Sequence, residues 1–496
     1  MKKIMFLFLF AGVFFTSCFE DKGNYDYTSM SPVVVTGIES SYSRLASDDQ
    51  LIIKPQLADE SGYDYCWEIY RNQQIFGTII ADTITLTKDL RIDFDYNYKP
   101  GNYVIVFKAR NKANDYTEII SAALEVSAFN MMGIYATKQI GNKVDMDFFY
   151  DGGVVENWMA MQNDGYQLTG NAIKTVLLTG YRSDPTVTQN QMALMTMTDS
   201  DMSIFLVEDG SLSRNFGQMF FDAPSERNIH TCTFNTGFTT LYLAMNNNVY
   251  TMLTAGGLLQ EPTPLAGRKI APFATIGMNP VYFDENSKSF LYLSGTWRTY
   301  AERQTAPVSC NGMEMDLLWM EGYQHPRFGV VALMRSVENP DIYKTVVMNT
   351  GSTYMWSYVN PITDIYTLPS GLKLPHMDVR GGNFDMGIVY FADGADVYVH
   401  DIANIEETLL FTMPGDETVT LVQHIKFPVN PTAGSDYMNQ LAVATYKDGN
   451  YKIWMLDISS TGIPSTPGPT PAYTGTGMVK CMNYLEGTTG GSFVYF

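Results

Sequence analysis

The sequence predicts an all-β protein, a small N-terminal β-sandwich followed by a β-propeller of about seven blades. Three observations predict it. Aromatic residues make up 13% of the 496 positions, with 32 Tyr and 28 Phe, and such side chains suit half-buried pleated surfaces better than helices. Short apolar runs separated by turn residues recur along the whole chain, and no segment carries the 3.6-residue period of a long amphipathic helix. In the second part these runs pair as strand–turn–strand units whose starts lie about 40 to 54 residues apart, the spacing of four-stranded blades. A hydrophobic content of 45% suffices for a large core, and the length exceeds that of one compact domain.

The chain opens with Met1-Lys2-Lys3 and an unbroken apolar stretch from Ile4 to Phe15. That stretch is too short for a transmembrane helix of about 20 residues and fits the apolar region of a secretory signal. Phe15-Thr16-Ser17-Cys18 resembles a bacterial lipobox, with Phe15 departing from the usual Leu. The resemblance implies a signal peptide over 1–17, cleavage before Cys18 and lipid attachment there. Residues 18–30 are polar and read as a tether. Glu20 and Asp21 directly after the cysteine resemble a surface-export signal of some Gram-negative lipoproteins. The expected place is therefore the outer membrane, lipid-anchored and exposed at the cell surface.

Residues 31–127 read as a sandwich of about seven short strands. They are Val33–Val35, Leu51–Ile53, Tyr63–Tyr70, Thr78–Ile80, Thr83–Leu86, Tyr103–Ala109 and Ile119–Val126. Cys66 is expected to be a small buried hydrophobe. Three features here resemble a PKD-type immunoglobulin-like domain: the strand around Trp67, the run Lys99-Pro100-Gly101-Asn102-Tyr103-Val104, and the turn Asn111-Lys112-Ala113-Asn114. The opening Cys18-Phe19-Glu20-Asp21-Lys22-Gly23-Asn24-Tyr25 also resembles the start of the PKD-like family of lipoproteins. The resemblance implies a lipoprotein encoded beside a starch-utilisation-type, TonB-dependent outer-membrane importer of glycans or peptides.

Residues 128–496 supply the propeller pattern. Four hairpins stand out: Thr240–Met252, Pro280–Leu293, Gly387–His400 and Leu441–Leu456. Each is centred on Asn, Asp or Gly, residues that tolerate a left-handed backbone. The Pro- and Gly-rich stretch from Ser460 to Thr476 reads as a surface loop of the last blade. Ser492–Phe496 reads as a terminal strand that closes the ring.

No catalytic constellation emerges. His230, His325, His376, His400 and His424 include no pair at i, i+2 or i, i+4, and no calcium loop follows Asp145-x-Asp147 or Asp199-x-Asp201. We expect no metal and no cofactor. Cys232, Cys310 and Cys481 show no pairing pattern. Gly312–His325 carries Glu314, Asp316, Glu321 and Trp319 and reads as a loop with solvated polar groups. Trp297, Trp319 and Trp356, with Arg298 beside the first, are the residues most suited to hold a flat ligand.

Lys and Arg total 32 against 52 Asp and Glu, a formal net charge of −20 that argues against nucleic acid as a partner. The expected function is capture of a neutral glycan or oligopeptide nutrient for an importer. Two alternatives stand beside it, a propeller glycoside hydrolase or lyase and a structural scaffold of the importer complex.

Overall fold

The computed structural model describes residues 33–45, 49–71, 81–94, 101–127, 132–151, 153–235, 239–261, 267–276, 280–294, 296–323, 329–350, 358–427, 438–486 and 490–491. Among these residues the chain is nearly all β. One short α-helix, Trp158–Gln162, and two 3-10 turns, Phe216–Met219 and Leu374–His376, are the exceptions. The 1–17 segment, Cys18 with the rest of the 18–30 tether, Trp356, His325, Thr78–Ile80 and Ser492–Phe496 lie outside the described residues. By contacts the chain divides into two compact units at Glu125/Val126, with the short segments Leu45–Asp49 and Phe94–Gly101 grouped with the second.

The first unit contains a five-stranded sheet in the order Ser41–Leu45, Thr117–Ser127, Gly101–Asn111, Tyr63–Arg71, Asp82–Thr85, and a pair formed by Asp49–Ile53 and Leu90–Phe94. Alternation along Tyr63–Arg71 turns Trp67 inward, fully buried, and leaves Cys66 only half-buried. The expected burial of Cys66 is thus corrected: one residue of an adjacent pair takes the inner face, and the larger apolar surface of Trp67 wins. Its indole N–H donates to the Lys88 carbonyl at 2.9 Å and its ring lies 4.8 Å from that of Phe107. Val33–Val35 forms no strand; Thr36 makes a bridge with Gln56 instead.

In the second unit, seven antiparallel sheets follow one another along the described chain. Sheet one spans 133–155 and recruits Met478–Glu486 from the far end of the sequence. Sheets two to seven span 172–215, 229–253, 270–299, 315–368, 379–412 and 418–476. Sheets two to seven are meanders, each strand pairing with the next in sequence order. Asn246 and Asn247 both have positive φ (54° and 60°), as do Asp448 and Gly449 (50° and 85°), the geometry that matches strand twist in two-residue hairpins. All four expected hairpins form. The stretch from Ser460 ends in a short outer strand, Tyr473–Thr476, where Pro-free backbone resumes.

The unit has no single core. Apolar side chains instead fill the space between each sheet and the next. Tyr135, Phe148, Leu177 and Phe205 lie between sheets one and two, and equivalent clusters separate each later pair. Ile134, Phe149, Ile425 and Tyr451 then lie between sheet seven and sheet one. The strands Ala172–Tyr181, Ile229–Asn235, Ile270–Ile276, Met315–Tyr323, Val379–Gly382, Thr418–Phe427 and Met478–Glu486 each pack on the next, and the last packs on the first. Their approach is close. A Cβ on Gly381 would sit 2.2 Å from the Val422 carbonyl oxygen, so the neighbouring backbone itself demands glycine there.

A buried polar network fastens sheet one to sheet seven. Lys138 and Asp147 pair at 2.7 and 2.8 Å with both side chains essentially inaccessible. The Tyr451 hydroxyl donates to the same carboxylate, as does the Asn157 backbone N–H at 2.8 Å. Asp145 accepts from Met146 N, Met159 N and Gln167, so both aspartates of the Asp145-x-Asp147 pair are spent on protein donors. Removing one partner of a buried pair strands the other charge. Lys138→Ala should therefore cost about 3–5 kcal/mol in urea unfolding; a loss below about 1 kcal/mol contradicts this account of the network.

Candidate functional site

Where the seven facing strands converge they line a half-open cavity of about 240 Å³. Every one of them contributes to its wall: Lys174, His230, Phe273, Trp319 and Glu321, Arg380, His424 and Cys481 come from seven different strands. The volume falls below the roughly 300–1,000 Å³ of clefts that hold drug-sized ligands, so the space suits a small molecule.

Local backbone irregularity positions part of the lining. The register against the neighbouring strand shifts between Ile229 and Thr231 and again between Val479 and Cys481. The inserted residues are His230 and Lys480, and both line the cavity. A β-bulge of this kind re-aims one side chain without breaking the sheet.

The acid at the site is Glu321. Its Oε2 accepts from the Gly382 N–H at 2.8 Å, and burial pushes its carboxyl up to about 7. Lys174 is 6% exposed and makes one long bond, 3.4 Å, to the Cys232 carbonyl; burial holds its ammonium below the usual lysine range. Arg380 donates to the Leu374 and Pro375 carbonyls at 3.2 and 3.3 Å and forms no ion pair among the described residues. Lys480, partly buried, has no partner among them either, and desolvation lowers its pKa. Lys426 is neutralised by Asp385 and lies over the Phe384 ring.

The cavity histidines differ. His424 Nδ1 accepts from the Phe384 N–H and Nε2 faces Asn439 Oδ1, each at 2.8 Å, which assigns the proton to Nε2 and spends both nitrogens. His230 keeps a buried Nε2 with no hydrogen-bond partner among the described residues, and burial lowers its pKa. Gln423 is also spent, exchanging two hydrogen bonds with the Met482 backbone. His400 and His376 stand elsewhere: His400 is fully buried in sheet six, and His376 packs edge-on against Tyr343.

Of the aromatic platforms expected from sequence, Trp319 lines the cavity. Arg298 is exposed on Thr296–Thr299, the outer strand of sheet four and away from the convergent strands. Trp297 shares that strand, and its side chain and Trp356 lie outside the described residues. The segment around Trp319 is a strand, Met315–Tyr323, where a loop was expected. Asp316 is bound there by Lys288 and Arg335, and Glu314 is exposed. Sequence reasoning missed Lys174, Arg380 and Lys480, which no local spacing connects. Cys66, Cys232, Cys310 and Cys481 are all free thiols, and no cluster of metal-ligating side chains occurs among the described residues.

Residues 18–176 match the PKD-like family. No curated protein matches the chain. Among solved structures, a quinonprotein alcohol dehydrogenase-like protein from Bacteroides thetaiotaomicron is 11% identical over 88% of this chain and 96% of its own, with a TM-score of 0.41. A DUF4784 family protein from Bacteroides caccae is 10% identical over 77% and 97%, at 0.24. The WD40 domain of SCAP from fission yeast is 8% identical over 58% and 67%, at 0.34.

The raised Glu321 pKa fixes a sign for stability. The folded state holds this proton more tightly than the unfolded chain, whose value is 4.5. Stability contributed by the protonated form is therefore present below pH 4.5 and lost as pH climbs to about 7. Glu321→Gln should remove that loss, raising stability at pH 8 by up to about 3 kcal/mol in urea melts while changing little at pH 4. Equal effects at the two pH values would contradict the assignment.

Proposed function

We propose that the second unit is a closed seven-bladed β-propeller and that its axial cavity binds a small nutrient ligand. We place the chain at the outer membrane, surface-exposed and lipid-anchored at Cys18, as an accessory to a TonB-dependent importer of glycans or oligopeptides. The observation that carries the binding reading is the cavity wall itself: seven strands from residue 172 to residue 486 deliver Lys174, Arg380, Lys480, His230 and Trp319 to one small space. The cyclic packing of successive sheets, completed by Met478–Glu486 in sheet one, supports the propeller. The basic and apolar start, the Ser17-Cys18 junction and the PKD-like match beginning at Cys18 support the anchor and the importer context.

Binding is favoured over hydrolysis by the lining. A two-carboxylate glycosidase needs a second acid about 5–10 Å from the first, and among the described residues Glu321 is the one acid in the wall. His424, with both nitrogens engaged, is not available as a free base. A purely structural scaffold gives no reason to leave the buried His230 Nε2 without a partner among the described residues in a cavity, since buried unsatisfied polar groups are costly.

Affinity purification of the tagged chain from detergent-solubilised outer membrane should recover an importer, and Cys18→Ala should release the chain from the membrane fraction. Calorimetry of the recovered chain with a neutral oligosaccharide mixture and a peptide digest should show saturable binding without product formation. Release of new reducing ends would instead establish the hydrolase.

A further inference from the structure

We infer that the cavity takes a small carboxylate-bearing molecule, its anionic group held among Lys174, Arg380 and Lys480. This rests on the reading of the second unit as a ligand binder and names the chemistry of the ligand. Two observations carry it, the sign of the lining charge and the balance of donors against acceptors.

Among the described residues four cationic side chains line the cavity, Lys174, Arg380, Lys426 and Lys480, against the single carboxylate of Glu321. Asp385 cancels Lys426. Even with Glu321 fully ionised, the three remaining cations exceed it. This excess sits inside a chain whose formal net charge is −20, so the local field opposes the global one. Burying Lys174 without a carboxylate partner is unfavourable, and Arg380 and Lys480 are partly buried beside it; a ligand anion offsets that cost when it binds.

The donor balance points the same way. Arg380 is clamped by two backbone carbonyls, and its other N–H groups have no partner among the described residues. Lys174 makes a single long bond, and Lys480, carried on the bulge between Val479 and Cys481, makes none among the described residues. Of the lining acceptors, Gln423 is spent on Met482 and His424 on Phe384 and Asn439, which leaves the second oxygen of Glu321 and His230 Nε2. The charged donors of Lys174, Arg380 and Lys480 outnumber these two acceptors, a balance that selects an oxyanion over a neutral polyol, which must also donate. Trp319 and Phe273 add flat apolar surface beside the donors, which suits an organic anion better than an inorganic one.

The carboxylate could sit on an acidic sugar or on a peptide C-terminus, and the test separates them. Calorimetry with the mature chain at pH 7 and low salt uses four probes: D-glucuronate, D-glucose, L-alanyl-L-alanine and its C-terminal amide. We expect one of the acids to bind at least tenfold more tightly than its neutral counterpart, and the pair that discriminates identifies the source. Lys480→Met, on a partly exposed bulge, should weaken that acid at least tenfold with an unchanged melting temperature. Lys174→Met should do the same and is read alongside its own melt. Rising salt should weaken the acid and not its neutral counterpart. Equal affinity within each pair, or an unaltered acid affinity in Lys480→Met, overturns the anion site and leaves the binder reading standing. Absence of binding by all four probes also overturns it, and the binder reading is then decided separately by capture from the neutral mixtures.

Discussion

The second unit depends on one antiparallel ladder, the pairing of Met478–Glu486 with Gly133–Ile140. Each sheet is apolar on both faces, so no sheet is complete until it has a neighbour on each side. Sheets two to six find theirs in sequence order. Sheet one and sheet seven find each other only when Met478–Glu486 returns to the first sheet of the unit. The ladder places Leu485 in the layer between sheets one and two and Val479 and Met482 in the layer between sheets seven and one. The Lys138–Asp147–Tyr451 network, whose Tyr451–Asp147 bond spans 304 residues of sequence, reinforces the same junction. Loop-closure entropy grows only logarithmically with length, so such a return is thermodynamically mild. It is kinetically demanding, because long-range pairing slows folding.

The cavity follows from that constraint. Seven strands brought edge to edge around a common space must present some residues to it, and the close approach of backbones at Gly381 and Val422 keeps the space small. Its chemistry is then set by which residues sit at the inward positions. Bulges supply His230 and Lys480, and regular strand positions supply Lys174, Glu321 and Arg380. The surface and the interior thus carry opposite signs. An acidic exterior governs solubility and long-range encounter, while the lining cations act mainly over the few ångströms that a ligand inside the cavity experiences.

Much of the architecture was visible in the sequence, because it is written locally. Asn246-Asn247 and Asp448-Gly449 mark hairpins through the backbone conformations they permit, and alternating apolar residues on either side fix the strands. Val33–Val35 misled because three β-branched residues satisfy propensity without a partner strand, and pairing decides. The candidate site was much less visible. Its residues are dispersed from Ile173 to Cys481, one or a few per strand, so no spacing rule connects them. The one segment that did stand out, around Trp319 and Glu321, reaches the cavity as a strand. Its signal was Trp beside a carboxylate in an otherwise apolar run. Net charge does not report the cavity lining for the same reason: it sums acids outside the cavity wall.

The ladder itself is open to a direct measurement. Cys481 and Thr137 are Cα partners across it, within the separation a disulfide can bridge. Oxidation of the Thr137→Cys variant, followed by non-reducing peptide mapping, should recover a 137–481 disulfide in the folded protein. A map in which Cys481 never joins residue 137, while the variant folds like the parent, would contradict the return of the C-terminal strand to sheet one.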